Sequence, residues 1–278
     1  MSAPSAPLTL TGLFIYPVKS LGGISVAAAE LTPQGLRHDR RWLIVDERNR
    51  FLTQREHAEM ALLAVEPAHN GFLLRHRQRL ELLPLYIPFE AQPDKTLFVT
   101  IWDDLVFAWR GTPEADEWLT AALGQPCKLV YMSDMARREV EPDKPELNPA
   151  GTLVSFADGY PYLLATEESL AKLNAQLAEP VPMNRFRPNL VVSGAPADAE
   201  LAWTDFQIAG LAFRSVRGCG RCVVTTIDQA TAEKNPASEP LRTLATYRKP
   251  GSKVLFGQNV TGPATGRVQV GDTVSIVS

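Results

Sequence analysis

The sequence predicts a β-rich α+β fold, in which an N-terminal β-barrel-like region packs on a second β-rich part with a few peripheral helices. Two observations carry this expectation. Short apolar runs rich in β-branched and aromatic residues recur between turn residues along most of the chain. The region from Leu8 to Val106 shows hairpin spacing and no crossover helix, which favours antiparallel strands closed into a barrel or sandwich.

The elements follow in order. TLTGLFIYPV ends in a turn at Lys19 to Gly23, and ISVAAAEL reads as the returning strand. RRWLIVD and FLTQ form a hairpin across Glu47 to Arg50, GFLLRHR pairs with LELLPL, and LFVTIW pairs with LVFAW across Asp103 and Asp104. Glu114 to Leu123 reads as a helix, with acidic residues in its first turn, Trp118, Leu119 and Leu123 at helical spacing, and Gly124 as its stop. CKLVYM is the next strand.

Met135 to Thr152 is charged and Pro-rich, so it reads as a linker, and it divides the chain into domains at residues 7–134 and 135–278. In the second part PYLLA is a strand, and TEESLAKLNAQL is a helix with Thr166 as N-cap. RPNLVVSG, FQIAG, LAFRSV and CVVTTI read as strands, EPLRTLATYR as a short helix, and VLFGQNV, GRVQVGD and TVSIVS as the closing strands.

Composition limits the function classes. At 278 residues, 45% hydrophobic and 21% charged, the chain can bury a sizeable core. A net charge of −3 and a pI near 5.9 give no overall field for gathering nucleic acid, so no nucleic-acid partner is expected. No apolar run approaches the roughly 20 residues that span a bilayer. Three cysteines and no secretory leader fit a reducing, cytoplasmic compartment.

The chemistry concentrates at Arg217 to Asp228, RGCGRCVVTTID. Arg217 and Arg221 favour a thiolate at Cys219 or Cys222, and Gly218 and Gly220 allow the backbone a close approach to a bound group. Val223 to Ile227 has the β-branched composition of a buried strand that would hold the site rigid. A pair of buried structural cysteines is the alternative. A closed zinc site would need two further ligands, and His38, His57, His69 and His76 all lie in the first third without metal spacing. Lys19 with Ser20, Arg40, and Arg185 with Arg187 lie beside turns and suit an anionic group such as a phosphate. Asp158 and Asn189 are either turn residues or ligand contacts.

Taken together, YPVKS, HDRRWLIVD, FADGYPYLLATEESLAKLN, RFRPNLVVSG, the CxRCxxTTID segment, EPLRTLATYR and LFGQN resemble the MOSC proteins that carry an N-terminal β-barrel domain. The likeness spans nearly the whole chain and is nearest to the mitochondrial amidoxime-reducing component and its bacterial relatives. It implies an oxidoreductase that binds the molybdenum cofactor, Mo-molybdopterin, and reduces N-hydroxylated or N-oxide compounds. By position, it implies Cys222 as the molybdenum ligand. Lys19, Ser20, Arg40, Ala157, Asp158, Gly159, Arg187, Asn189, Gly220, Arg221 and Asn259 match cofactor contacts, and Asp158 is also a candidate for proton delivery.

The resemblance also sets two departures. The chain ends at VGDTVSIVS without the ferredoxin domain of many bacterial relatives, so electrons are expected from a separate ferredoxin, flavodoxin or cytochrome-type protein. Gln229, Ala230 and Thr231 stand where the family usually has proline and then glycine, so this loop is expected to differ in shape. Related MOSC domains in cofactor sulfurases imply an alternative, in which the protein carries sulfur or binds and transfers the cofactor.

Overall fold

A computed structural model describes residues 7–92, 95–140 and 151–278. The first half contains β1 (Thr9–Ile15), β2 (Ile24–Ser25), β3 (Ala28–Thr32), β4 (Gly35–Leu36), β5 (Trp42–Val45), β6 (Leu63–Ala68), β7 (Gly71–His76), β8 (Leu85–Pro88), β9 (Thr96–Ile101), β10 (Asp104–Arg110), α1 (Pro113–Leu123) and β11 (Lys128–Tyr131). The second contains β12 (Tyr162–Thr166), α2 (Glu167–Asn174), β13 (Leu190–Ser193), β14 (Asp205–Ile208), β15 (Leu211–Gly220), α3 (Leu241–Leu244), β16 (Leu255–Thr261), β17 (Gly266–Gln269) and β18 (Val274–Ile276). The fold is β-rich α+β.

The largest sheet runs β18-β14-β15-β16-β12-β13-β1-β2. A bridge between Thr9 and Thr273 joins β1 to the β18 end, so the sheet closes into a barrel. β12 and β13 are parallel, with α2 in the connection between them, while the other pairs in this sheet are antiparallel. The other sheets are β5-β11-β10-β9, β17-β3-β4 and β6-β7-β8. Strands from the first half therefore enter sheets of the second: β1 lies against β13 and β3 against β17. One apolar cluster runs from Leu10 and Leu13 through Leu164 and Val192 to Val274, each of them at most 3% exposed. Each such side chain contributes about 1.5–3 kcal/mol of burial.

The helix ends follow their sequence signals. Thr112 caps α1 by accepting from the Ala115 amide at 3.2 Å, and Gly124 closes it at φ 68°. Thr166 caps α2 by accepting from Ser169 N at 3.3 Å. α3 is shorter than expected and covers Leu241–Leu244.

Several strand expectations are corrected. ISVAAAEL is two strands, because β2 stays with β1 while β3 turns away to β17. The segment before Leu85 is loop, with Leu80 and Leu83 exposed, and β7 pairs with the strand that begins at Leu85. The turn at Asp46 to Arg50 forms as expected, but the ladder partner of β5 is β11. Most consequential, Val223–Thr226 is a 3-10 turn and not a strand. The Thr225 hydroxyl donates to Cys222 O at 3.0 Å and the Thr226 hydroxyl to Val223 O at 2.7 Å. These local bonds, three residues back along the chain, compete with a sheet ladder. The cysteine segment therefore follows the end of β15 and does not begin a strand. Of the linker expected at 135–152, residues 141–150 lie outside the described residues.

Candidate functional site

The site lies on the outer face of the barrel sheet. Along β12 and β16, inward Leu164 and Val260 are fully buried, while Leu163 and Asn259 point the other way. Arg217 and Leu163 are both register partners of Asn259, so the three share this face. The segments from Tyr16 to Ser20, His38 to Arg41 and Ser155 to Tyr160 come up around the same surface and enclose a cavity.

That cavity brings together the site residues that the sequence points to. Lys19, Ser20, Arg40, Ala157, Asp158, Gly159, Arg187, Asn189, Gly220, Arg221, Cys222 and Asn259 all line it. Arg185 does not: it donates to Asp228 at 2.8 Å and to Thr225 O at 3.3 Å, and so braces the cysteine turn from behind. Ser20, Arg40 and Arg187 have φ of 68°, 48° and 56°. A left-handed backbone at a non-glycine residue costs on the order of 1–3 kcal/mol, and such strain collects at functional sites.

The cations are aimed by buried partners. Asp39, 1% exposed, accepts from Tyr16 N at 2.8 Å and from Arg40 at 2.6 Å. Arg40 also donates to the Asn189 side chain at 3.0 Å and to Arg187 O at 3.3 Å. The Asn189 side chain also donates to Phe14 O and accepts from Leu163 N, so it is spent on holding Arg40 and the two strands β1 and β12. Arg40 and Arg187 lie against the ring of Tyr16 at 4.3 and 4.4 Å. Burial and the neighbouring Arg40 lower the Arg187 guanidinium to about 10.

Lys19 is 5% exposed and donates to Phe156 O at 2.8 Å and to the Asp158 carboxylate. Burial pulls its ammonium down to about 8, against the opposing pull of Asp158. For Asp158, desolvation alone would raise the carboxyl, but Lys19 and Arg55 overcome it and hold the group ionised. Arg138 fixes this loop from beneath by donating to Ser155 O at 2.9 Å and to Ala157 O at 2.6 Å.

At the sulfur end, Cys219 and Cys222 are half-buried, whereas Cys127 is buried and its thiol is pushed up to about 11 by desolvation. The Cys222 carbonyl accepts from both Thr225 N and the Thr225 hydroxyl, which pins the residue at the mouth of the turn. Arg221 donates to Cys219 Sγ at 3.0 Å and to Phe186 O at 2.7 Å.

Sequence reasoning missed Asp39, Arg55, Arg138 and Tyr16. Asp39 adjoins a residue that was singled out, and Tyr16 begins the YPVKS run. Arg55 and Arg138 carry no local signal; folding alone brings them to Asp158.

Two family models match the chain, one for the MOSC N-terminal beta barrel domain over residues 8–126 and one for the MOSC domain over residues 152–275. The mitochondrial amidoxime-reducing component 1 of Homo sapiens is 31% identical over 97% of this chain and 83% of its own length. The chain belongs to the MOSC family. Among its MOSC relatives, the Xenopus laevis mitochondrial amidoxime-reducing component 1 is 32% identical over 94% of this chain and 80% of its own length. The molybdenum cofactor sulfurase of Oryza sativa subsp. japonica is 31% identical over 89% of this chain, which spans 32% of that longer protein. Among the described residues no helix is long and apolar enough to cross a membrane.

Proposed function

We propose that this MOSC protein is a molybdenum-cofactor oxidoreductase that reduces N-hydroxylated or N-oxide compounds, with electrons delivered by a separate redox protein. For a hydroxylamine-type substrate, two electrons and two protons convert N–OH to N–H and release water. The observation that carries the reading is the polarity of the cavity. Five cationic side chains, Lys19, Arg40, Arg55, Arg187 and Arg221, line it with one carboxylate, Asp158, and a half-buried thiol sits at Cys222. An elongated ligand that is anionic at one end and bears a thiophilic metal at the other fits this arrangement. An unpartnered buried polar atom, Arg221 Nε, belongs to a residue that lines the same cavity and fits a polar ligand there.

Cys222 would ligate molybdenum. Lys19, Ser20, Arg40 and Arg187 would hold the phosphate and pterin, with Ala157, Gly159, Asn189, Gly220 and Asn259 shaping the wall. When bound, the molybdenum cofactor supplies the two-electron oxygen-atom chemistry. The protein binds, orients and sets the local charge. Asp158, kept ionised by Lys19 and Arg55, has no proton to give near neutral pH. Its part is to anchor those two cations.

The reading is tested by metal analysis and released-pterin fluorescence on protein from a cofactor-competent host, beside Cys222→Ser. Near-stoichiometric molybdenum and pterin in the wild type, with metal lost in the variant and N-hydroxylated substrates reduced by a dye donor, is the expected result. A wild type that holds neither metal nor pterin after reconstitution overturns it. The sulfurase relatives favour a second reading, transfer of sulfur or of the cofactor. A persulfide on Cys222 without reductase turnover would select it.

A further inference from the structure

The cavity continues past the thiol. Beyond Cys219, Gly220 and Arg221 it opens into a groove lined by Trp102, Tyr160, Lys253 and Val254, with the backbone of Gly218 to Gly220 between them. Trp102 occupies the first position of the two-residue turn between β9 and β10, at φ 54°. Glycine takes that conformation freely, and a bulky aromatic residue takes it under strain. Trp102 is 42% exposed, so burial offsets only part of the strain.

Yet the ring is held firmly. Phe51 packs edge-on at 4.9 Å, and the Arg55 guanidinium lies over the ring at 4.7 Å. Arg55 is itself tied to Asp158 at 2.8 Å. A strained, exposed and immobilised aromatic at the mouth of a site is the pattern of a ligand contact. A second observation is independent of it. Tyr160, 5% exposed, lines both the cavity and the groove, and its buried hydroxyl has no hydrogen-bond partner.

We propose that Trp102, with Tyr160 as the second wall, forms the subsite for the organic part of the substrate, and that it selects N-hydroxylated compounds bearing a flat aromatic or heteroaromatic ring. This rests on the reductase reading above. An indole face stacks on a planar ring and gives little to a small aliphatic group, so the residue sets specificity while the reacting N–O bond lies toward Cys222.

The test uses the holoenzyme, with benzamidoxime and acetamidoxime as a pair that shares the reacting group and differs in the ring. Trp102→Gly suits the local φ and so spares the turn; Trp102→Phe restores an aromatic. A chemically reduced viologen serves as donor, so that no protein docking enters the rates. Trp102→Gly is expected to lower the benzamidoxime-to-acetamidoxime ratio of kcat/KM by about tenfold, chiefly through KM, with Trp102→Phe recovering most of it and molybdenum content retained. An unchanged ratio, or an equal fall for both substrates, overturns the inference. Calorimetric titration of both compounds into the oxidised holoenzyme separates the two claims. Ring-dependent binding that Trp102→Gly weakens, without turnover in the wild type, refutes the reductase reading and keeps the subsite. Turnover of both compounds with an unaltered preference in Trp102→Gly refutes the subsite alone.

Discussion

Lys19 and Asp158 meet with opposite exposures: the lysine side chain is 6% exposed and the aspartate side chain 58%. The carboxylate reaches in from the mouth of the cavity to hold a buried ammonium. Burial brings that ammonium from 10.5 down to about 8. Because the folded-state value is depressed, folding bears the cost of the buried charge below about pH 8. That cost is relieved as pH rises from there towards 10.5. Anion binding runs the other way, since the charge that attracts the anion is lost as pH rises through about 8. Phosphate binding to the cofactor-free protein, titrated calorimetrically from about pH 6.5 to about pH 9.5, is therefore expected to weaken past this point. Lys19→Met should flatten the profile, and Asp158→Asn, which removes the opposing pull, should move the loss to lower pH.

Tyr16 separates the two guanidinium groups of Arg40 and Arg187, and its hydroxyl donates to Pro188 O at 3.1 Å. Tyr16→Phe keeps the ring and is expected to cost about 1 kcal/mol with pterin content near wild type. Tyr16→Ala removes the spacer, should cost about 3–5 kcal/mol, and should lose pterin. Denaturant unfolding and pterin fluorescence read the two effects; pterin held fully by Tyr16→Ala would show that the spacer is dispensable.

Gln229, in the loop after the cysteine turn, makes a reciprocal amide pair with Gln54 at 3.0 and 3.2 Å. Gln54 is fully buried and also donates to Ser20 O at 2.5 Å, so the pair connects the cysteine loop to the lysine turn. Gln229→Ala leaves the Gln54 amide short of partners and is expected to cost about 1–3 kcal/mol. At this chain size that is a melting shift of about 2–4 °C per kcal/mol, measurable by calorimetry.

Glu200 and Arg248 form a buried pair remote from the cavity, at 0% and 4% exposure. Glu200 also accepts from the Ser169 hydroxyl at 2.8 Å and from Thr166 at 3.1 Å, which ties the start of α2 to the second half of the barrel. Glu200→Gln leaves Arg248 paired with Asp198 but weakens the buried hydrogen bonds to Ser169 and Thr166, so it should lower stability by about 1–3 kcal/mol with little change in substrate preference. Unfolding measurements that show no loss would mean that Asp198, the second partner of Arg248, suffices alone.

The sequence by itself determined the local pieces. The Gly124 stop, the Thr166 cap and the β9–β10 hairpin are written in adjacent residues, because caps and tight turns act over a few positions. The short runs YPVKS, HDRRW, FADGYPY, RFRPN and CGRC named residues that fall around one cavity. Tertiary structure decided the rest. It made Val223–Thr226 a 3-10 turn, since threonine hydroxyls found carbonyls three residues back and no neighbouring strand competed for the segment. It turned Arg185 away to Asp228 and brought Arg55, Arg138 and Trp102 to the site from separate turns and loops. Contacts of that kind depend on which distant segments pack together, and a side chain's type and its neighbours in the chain do not encode them.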